Sequence, residues 1–359
     1  MAYNTGDPNH FLFLYTRLPD YFLQCIRHLL DTCPAGSRAW VVHYESDQDA
    51  PYEHVFQDNR ISFIGKSSFQ PAMMETIRPD LIYVAGWGDP VYKSITAAWK
   101  KKLPVVMGLD NPWLGSPRQW MAALLAPLLI KPYCTHLWVT GPPQYTFGRR
   151  LGFSKKQLIS GLYCADTKDI IPSTLPAEAP EILYTGRMVG YKRPDWLLKA
   201  FTEILNLDPA LGHWRLTLVG QGPLKQELEA NFGKVPAISF IPFLQPAAVK
   251  QRYAGASIFC LPSHHEHWGV VVQEAAAAGL PLLLSDTVAA GVTFLENGRN
   301  GYQFKSPSYE DFREKLHQLM KTSTAQRIAM GDFSRQLSAR ITHDSWAAAL
   351  KSVFVDKHT

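Results

Sequence analysis

The chain has 359 residues and a formal net charge of +5. At about 150 residues per domain, that length fits two domains. Apolar residues make up 46% and charged residues 19%, which excludes a disordered, collagen-like or coiled-coil chain.

Strand and helix patterns alternate from the start. Phe11–Thr16 reads as a short buried strand. Tyr21–Leu30 follows with helical spacing and carries Phe22, Leu23, Ile26, Leu29 and Leu30 on one face. Ala39–Tyr44, Ile61–Ile64 and Leu81–Ala85 read as strands, the last running into the loop Gly86-Trp87-Gly88-Asp89-Pro90. A helix leads to Lys100-Lys101-Lys102, and Pro104–Met107, His136–Thr140 and Gln157–Leu162 complete the strands of the first half. Asp166–Pro180 carries three prolines and little periodicity, so it reads as a linker. Beyond it, strands are expected at Glu181–Thr185, Arg215–Val219, Ile238–Ile241, Ser257–Leu261 and Leu280–Leu284, with helices between them. His343–Phe354 reads as a last helix. Such alternation implies α/β units built on mostly parallel sheets.

The charge is unevenly placed. Lys93–Ala165 holds ten basic residues and one acid, Asp110, a local +9; with +5 overall, the rest of the chain carries −4. Such a surplus suits phosphates, an anionic lipid surface or nucleic acid, with a scattered solvated face as the alternative. Within it, Trp120–Ile130 is the longest apolar run. Its eleven residues include Pro127 and are too few to cross a bilayer. Trp120, Leu124, Leu125, Leu128 and Leu129 read as the core face of a buried helix, with a membrane-surface helix as the alternative. The first residues show no basic segment followed by an apolar one, so no secretory signal is expected. Five cysteines (Cys25, Cys33, Cys134, Cys164, Cys260) without a C-x-x-C pair fit a reducing, cytoplasmic setting, with no disulfide framework and no zinc ribbon.

Three segments carry candidate chemistry. Gly186-Arg187-Met188-Val189-Gly190-Tyr191-Lys192 lies between a strand and a helix opened by Pro194, and puts two cations at a strand's carboxyl end. Arg187 and Lys192 suit a diphosphate whose charge grows as it departs. Val219-Gly220-Gln221-Gly222-Pro223 is a partial glycine-rich loop, equally readable as a tight turn or as a ligand contact. Pro262-Ser263-His264-His265-Glu266-His267-Trp268-Gly269-Val270, continuing to Glu274, spaces two glutamates around an expected helix start near Gly269. Free N–H groups at that helix end favour an anion, and ionised carboxylates accept from paired hydroxyls.

With Ala278-Gly279-Leu280-Pro281 and Asn297-Gly298-Arg299-Asn300-Gly301, these segments resemble, in order and spacing, the retaining glycosyltransferases of family 4. The resemblance covers about residues 181–304. It implies the GT-B architecture: two Rossmann-like domains facing across a cleft. Residues 1–170 would form the acceptor-binding domain, 171–340 the donor domain, and 341–359 a helix packing back on the first. It further implies a nucleotide-diphosphate sugar as donor substrate, no cofactor and no metal. Arg187, Lys192 and Glu266 would belong to the catalytic set, and Arg187 and Lys192 would hold the diphosphate. Glu274 would bind ribose, Glu266 the sugar, and Gly186, Gly220, His267, Trp268, Gly269 and Val270 would border sugar and phosphate. Phe243 and Leu244 would border the base.

Some positions depart from the family pattern. Arg17, in Thr16-Arg17-Leu18-Pro19-Asp20, stands where relatives carry a glycine pair near the phosphates, and is a candidate replacement contact. Asp110 stands where many relatives have histidine, and is a candidate catalytic residue that would orient the acceptor hydroxyl or the sugar, or take up the proton, with a plain ion-pair role as the alternative. Thr293 stands where a glutamate is common.

The implied activity is hexosyl transfer, with retention, to a glycan or lipid-linked acceptor in cell-surface polysaccharide or glycolipid synthesis. Peripheral contact with an anionic inner membrane face is a further expectation, and nucleic acid is not an expected partner. A nucleotide-sugar epimerase, a phosphorylase on the same fold, or a non-catalytic membrane- or nucleic-acid-binding protein are the alternatives. His264-His265-Glu266-His267 lacks metal-ligand spacing. Asp47-Gln48-Asp49 spells a D-x-D but reads as a solvated loop.

Overall fold

The computed structural model describes residues 9–44, 58–173 and 179–354; Asp47-Gln48-Asp49 and part of the expected linker lie outside them. The chain divides into two compact units, one reaching Asp166 and regaining the chain from Ile341, the other spanning Thr167–Arg340.

The first unit runs β1 (His10–Leu14), α1 (Asp20–Asp31), β2 (Arg38–His43), β3 (Ile61–Gly65), α2 (Met73–Ile77), β4 (Leu81–Val84), α3 (Pro90–Trp99), β5 (Val105–Leu109), α4 (Pro117–Leu129), β6 (His136–Val139), α5 (Pro142–Arg150) and β7 (Leu158–Ser160). Its strands form a parallel sheet in the order β3-β2-β1-β4-β5-β6-β7. Period-2 alternation splits β1 between the two faces: Phe11 and Phe13 join one core, Leu12 and Leu14 the other. Both faces are covered, which is why these strands read as unbroken apolar runs.

The second unit runs β8 (Glu181–Thr185), α6 (Pro194–Leu207), β9 (Arg215–Val219), α7 (Lys225–Phe232), β10 (Ile238–Ile241), α8 (Pro246–Gly255), β11 (Ile258–Leu261), α9 (Val270–Ala277), β12 (Leu282–Ser285), α10 (Gly291–Phe294), β13 (Gly301–Phe304), α11 (Tyr309–Met320) and α12 (Thr324–Ser338). Its parallel sheet has the order β10-β9-β8-β11-β12-β13. Each sheet reverses its winding once, between β1 and β4 and between β8 and β11. Open α/β sheets bind ligands at such switch points, beyond the carboxyl ends of the strands. Both units are therefore Rossmann-like.

The last helix, α13 (His343–Lys351), belongs to the first unit. Its buried Trp346 meets the rings of Trp138 and Phe22 at centroid distances of 4.6 and 5.4 Å, and donates from Nε1 to the Leu162 carbonyl at 2.8 Å. β13 had no signal in the alternation pattern, because Gly-Tyr-Gln-Phe is short and half polar.

One expectation fails outright. The large side chains of α4 do not face the core. Trp120, Met121, Leu124, Leu128 and Leu129 are all more than half exposed, and Leu125 is only partly buried. The helix packs inward through Ala126, with Ala122 and Ala123 partly buried against the same core. Apolar spacing identified the helix, but the small residues, not the large ones, mark its inner side.

Candidate functional site

In the second unit the switch-point loops bring the motif side chains together. Lys192, in the loop after β8, donates from Nζ to Glu266 Oε2 in the loop after β11 at 2.7 Å, with about 15% of each side chain exposed. Seventy-four residues separate them in sequence. Arg187 is exposed on the same loop, its carbonyl accepting from Tyr184 Oη at 2.8 Å. The loop carrying Glu266 is fastened by a bridge between Glu266 and Val288, and by the Ala290 amide donating to the Trp268 carbonyl at 3.0 Å.

Gly269 is the residue before α9, with a φ of +94° that a side chain rarely adopts. A Cβ there would meet Glu266 Cγ at 3.2 Å. The glycine thus lets the loop turn directly into a helix whose first N–H groups face outward. Val270 opens that helix, and Glu274 lies about one turn in. Tyr253 Oη donates to Glu274 Oε2 at 2.8 Å and lies 3.0 Å from Thr185 Oγ1, so a chain of hydroxyls reaches from the end of β8 to the carboxylate. Sequence reasoning missed Tyr253 and Thr185. They lie in α8 and β8, outside every motif, and only the sheet order places them together.

The other predicted residues have mixed positions. The Trp268 ring is buried against Phe294 at 6.1 Å, so only its backbone borders the loop surface. The His265 and His267 rings lie 4.7 Å apart. His264 packs edge-on to Trp196 at 4.5 Å. Burial, and then Arg193, push its pKa below the ordinary histidine value, so it is neutral at pH 7. Phe243 and Leu244 follow β10, where the Ile241 carbonyl accepts from the Gly220 amide at 3.0 Å.

The glycines of the second segment have a packing reason. A Cβ at Gly220 would lie 2.0 Å from the Gly186 carbonyl oxygen, and one at Gly222 2.5 Å from that of Met188. The Met188 amide donates to the Gln221 carbonyl at 2.7 Å. Gly220 and Gly222 therefore let two loop backbones touch, which holds the Arg187–Lys192 loop in place.

Arg17 and Asp110 lie in the first unit, just past the ends of β1 and β5; Arg17 is exposed. Asp110 lines a cavity of about 380 Å³ at that unit's switch point, with Tyr15, Tyr83, Trp87, Asn111, Arg118 and Tyr163 among its walls. Tyr163 Oη donates to Asp110 Oδ2 at 3.1 Å, and Asn111 Nδ2 to Oδ1 at 3.3 Å. The Asp110 carbonyl accepts from Gln144 Nε2 at 3.0 Å. Burial, and then the Asp110 charge, raise the Tyr15 hydroxyl above its ordinary value; burial also raises Tyr83 and Tyr163. The carboxylate thus faces phenols that stay protonated and can donate. Sequence reasoning found Asp110 but not this tyrosine wall, since Tyr15, Tyr83 and Tyr163 come from three separate chain segments.

Among the described residues, Cys25, Cys164 and His343 bring ligand-type atoms within 4.8 Å of one another. Both thiols are buried in the first unit's core, and burial raises Cys25 well above its usual range.

With this geometry in view, residues 166–336 match the family model described as "Glycosyl transferases group 1". That match runs over nearly all of the second unit. The chain is 26% identical over 298 residues to the sulfoquinovosyl transferase SQD2 of Arabidopsis thaliana, covering 77% of this chain and 56% of that protein. It thus spans little more than half the length of that curated relative. Sucrose-phosphate synthase from Thermosynechococcus elongatus superposes with a TM-score of 0.74 at 15% identity, over 97% of this chain and 98% of its own. Anabaena HepE, solved in complex with UDP and glucose, superposes with a TM-score of 0.70 at 14% identity, over 97% and 100%. These likenesses show the fold, the two-domain GT-B class.

Proposed function

We propose that the protein is a retaining glycosyltransferase that moves a hexosyl group from a nucleotide-diphosphate sugar to a glycan or lipid-linked acceptor. The observation that carries this reading is the Lys192–Glu266 pair, set at the β8/β11 switch point beside the start of α9. A partly buried lysine held by a carboxylate is a fixed cation. With Arg187 it would neutralise the charge that develops as the diphosphate departs. That is the service a metal gives elsewhere, so the reaction would proceed without one.

Glu274, held by Tyr253, would accept from the ribose hydroxyls, and Glu266 would meet sugar hydroxyls. On the acceptor side, the tyrosine-walled cavity would receive the hydroxyl, with Asp110 orienting it. The bond from the sugar's anomeric carbon to the phosphate oxygen breaks and a bond to the acceptor oxygen forms on the same face. The departing phosphate takes the acceptor's proton. HepE, a neighbour in fold, was solved with UDP and glucose, which makes UDP-sugars the first donors to try.

The test is a thermal-shift screen of UDP-, GDP- and ADP-sugars, followed by donor hydrolysis with and without EDTA. A stabilising donor whose turnover survives chelation is expected. Loss of turnover with EDTA would remove the metal-free reading, and no stabilisation by any nucleotide sugar would remove the transferase. The anomeric configuration of the product, read by NMR, checks retention.

A further inference from the structure

We infer that the outer face of α4 is a docking surface for an anionic lipid bilayer. Of the fourteen large apolar side chains exposed among the described residues, six lie in residues 114–129: Leu114, Trp120, Met121, Leu124, Leu128 and Leu129. Trp120, Met121, Leu124 and Leu128 follow the i, i+3, i+4 spacing of one helical face. Leu124 and Leu128 are 76% and 71% exposed. The helix has turned its alanines to the core and its large residues to solvent, against the usual order of a globular helix. A contiguous patch of this kind marks an interaction site.

What covers it follows from charge. The α4 sequence contains no acid, and Lys93–Ala165 contains only Asp110, which is engaged by Tyr163. Cations surround the helix. The Arg150 guanidinium lies over the Trp120 and Trp113 rings, at 5.1 and 5.6 Å. Lys131 lies two residues past the end of α4, and Lys100 donates to the Lys131 carbonyl. Arg118 opens the helix just after Pro117.

An isologous contact with a second copy would bring these like charges together and work against itself. A bilayer with anionic headgroups satisfies both parts of the surface. The leucines and Trp120 enter the acyl boundary, and the lysines and arginines remain at the phosphates. No helix among the described residues is long and apolar enough to cross a membrane, so this is attachment rather than spanning. Arg118 also lines the Asp110 cavity, so the attached face adjoins that cavity. The bearing of this on a lipid-linked acceptor rests on the proposed transferase function; the docking itself does not.

The experiment is co-sedimentation of the full chain with phosphatidylcholine vesicles, with and without phosphatidylglycerol, at low and high salt and without donor. Binding is expected only with phosphatidylglycerol and is expected to weaken with salt. The double variant Leu124→Glu, Leu128→Glu changes exposed side chains only. It should keep its circular dichroism, thermal midpoint and donor hydrolysis in solution while losing binding about tenfold or more. Lys100→Gln, Lys101→Gln, Lys102→Gln together should cost about fivefold or more. Absence of wild-type binding to phosphatidylglycerol vesicles overturns the inference, as does undiminished binding by the glutamate variant. A wild-type dimer in light scattering that the glutamate variant converts to monomer also overturns it, in favour of a second copy. Because no donor is present, vesicle binding can fail while transfer stands, and the reverse.

Discussion

The two units solve one structural problem with opposite chemistry. Each is a parallel sheet whose winding reverses once, and each places its polar groups at that reversal. In the second unit the reversal holds a formal ion pair, Lys192–Glu266, and a second carboxylate, Glu274, steadied by a tyrosine. In the first it holds a cavity with one carboxylate facing protonated phenols. Fixed charge suits a ligand that is itself highly charged. Phenols around one acid suit a neutral hydroxylated ligand that must be oriented rather than neutralised. The difference teaches that fold alone does not divide the labour; the side chains at the strand ends do.

The sharpest break of this comparison is Lys192→Gln. If the second unit carries the charge chemistry, kcat should fall about 10²–10³-fold, since a preorganised cation at a developing charge is worth that much. Next is Asp110→Asn. Acceptor-dependent transfer should fall about 10²-fold, while stabilisation by the nucleotide sugar and its slow hydrolysis stay unchanged. An Asp110→Asn protein with weakened donor binding would erase the proposed division. Glu274→Ala comes third. Lost charge-assisted hydrogen bonds of about 1.5–3 kcal/mol should raise the donor KM about tenfold or more with little change in kcat. Tyr253→Phe should follow it in direction, with a smaller effect, because the carboxylate remains but loses one donor. Steady-state kinetics at varied donor concentration separate these outcomes.

The sequence was most legible where physics is local. Strands buried on both faces show as apolar runs, and β8, β9 and β10 begin and end where their composition changes. The motif spacing likewise led to the ends of β8 and β11. What stayed hidden depends on distant chain segments meeting. The hydroxyl chain Thr185–Tyr253–Glu274 joins β8, α8 and α9, and no spacing rule links those three positions. The sequence leaves Gly220 open between turn and ligand contact, because the Gly186 carbonyl that a Cβ there would strike comes from a different strand end. The α4 error has the same origin. Periodicity reports that a helix has a large-residue face, but which face meets the core is decided by the space the neighbouring elements leave, and here alanines fill it.

The smallest expected effect concerns acid, and it sets the two units against each other once more. In the second unit, burial lowers the pKa of His264 and of His265 below 6.5, aided by Arg193 and His267 respectively. A histidine kept neutral by folding takes up its proton more readily when unfolded. Its contribution is therefore fully present above about pH 6.5 and is lost as pH falls below that value. In the first unit the sensitive group is Asp89. Burial raises its pKa, but hydrogen bonds from Lys66, from Tyr44 Oη at 2.6 Å and from the Tyr92 amide at 3.0 Å outweigh it and leave the carboxyl below 3.8. Its contribution is present above 3.8 and is lost only as pH falls through the still lower folded value. Between pH 7 and pH 5 the loop at residues 262–269 should therefore loosen while the start of α3 holds. Hydrogen exchange resolved by mass spectrometry can compare peptides from the two regions. Faster exchange should appear first in the histidine loop, and His264→Asn should flatten that dependence. Loosening first around Asp89 would show that the acid response is not set by these buried histidines.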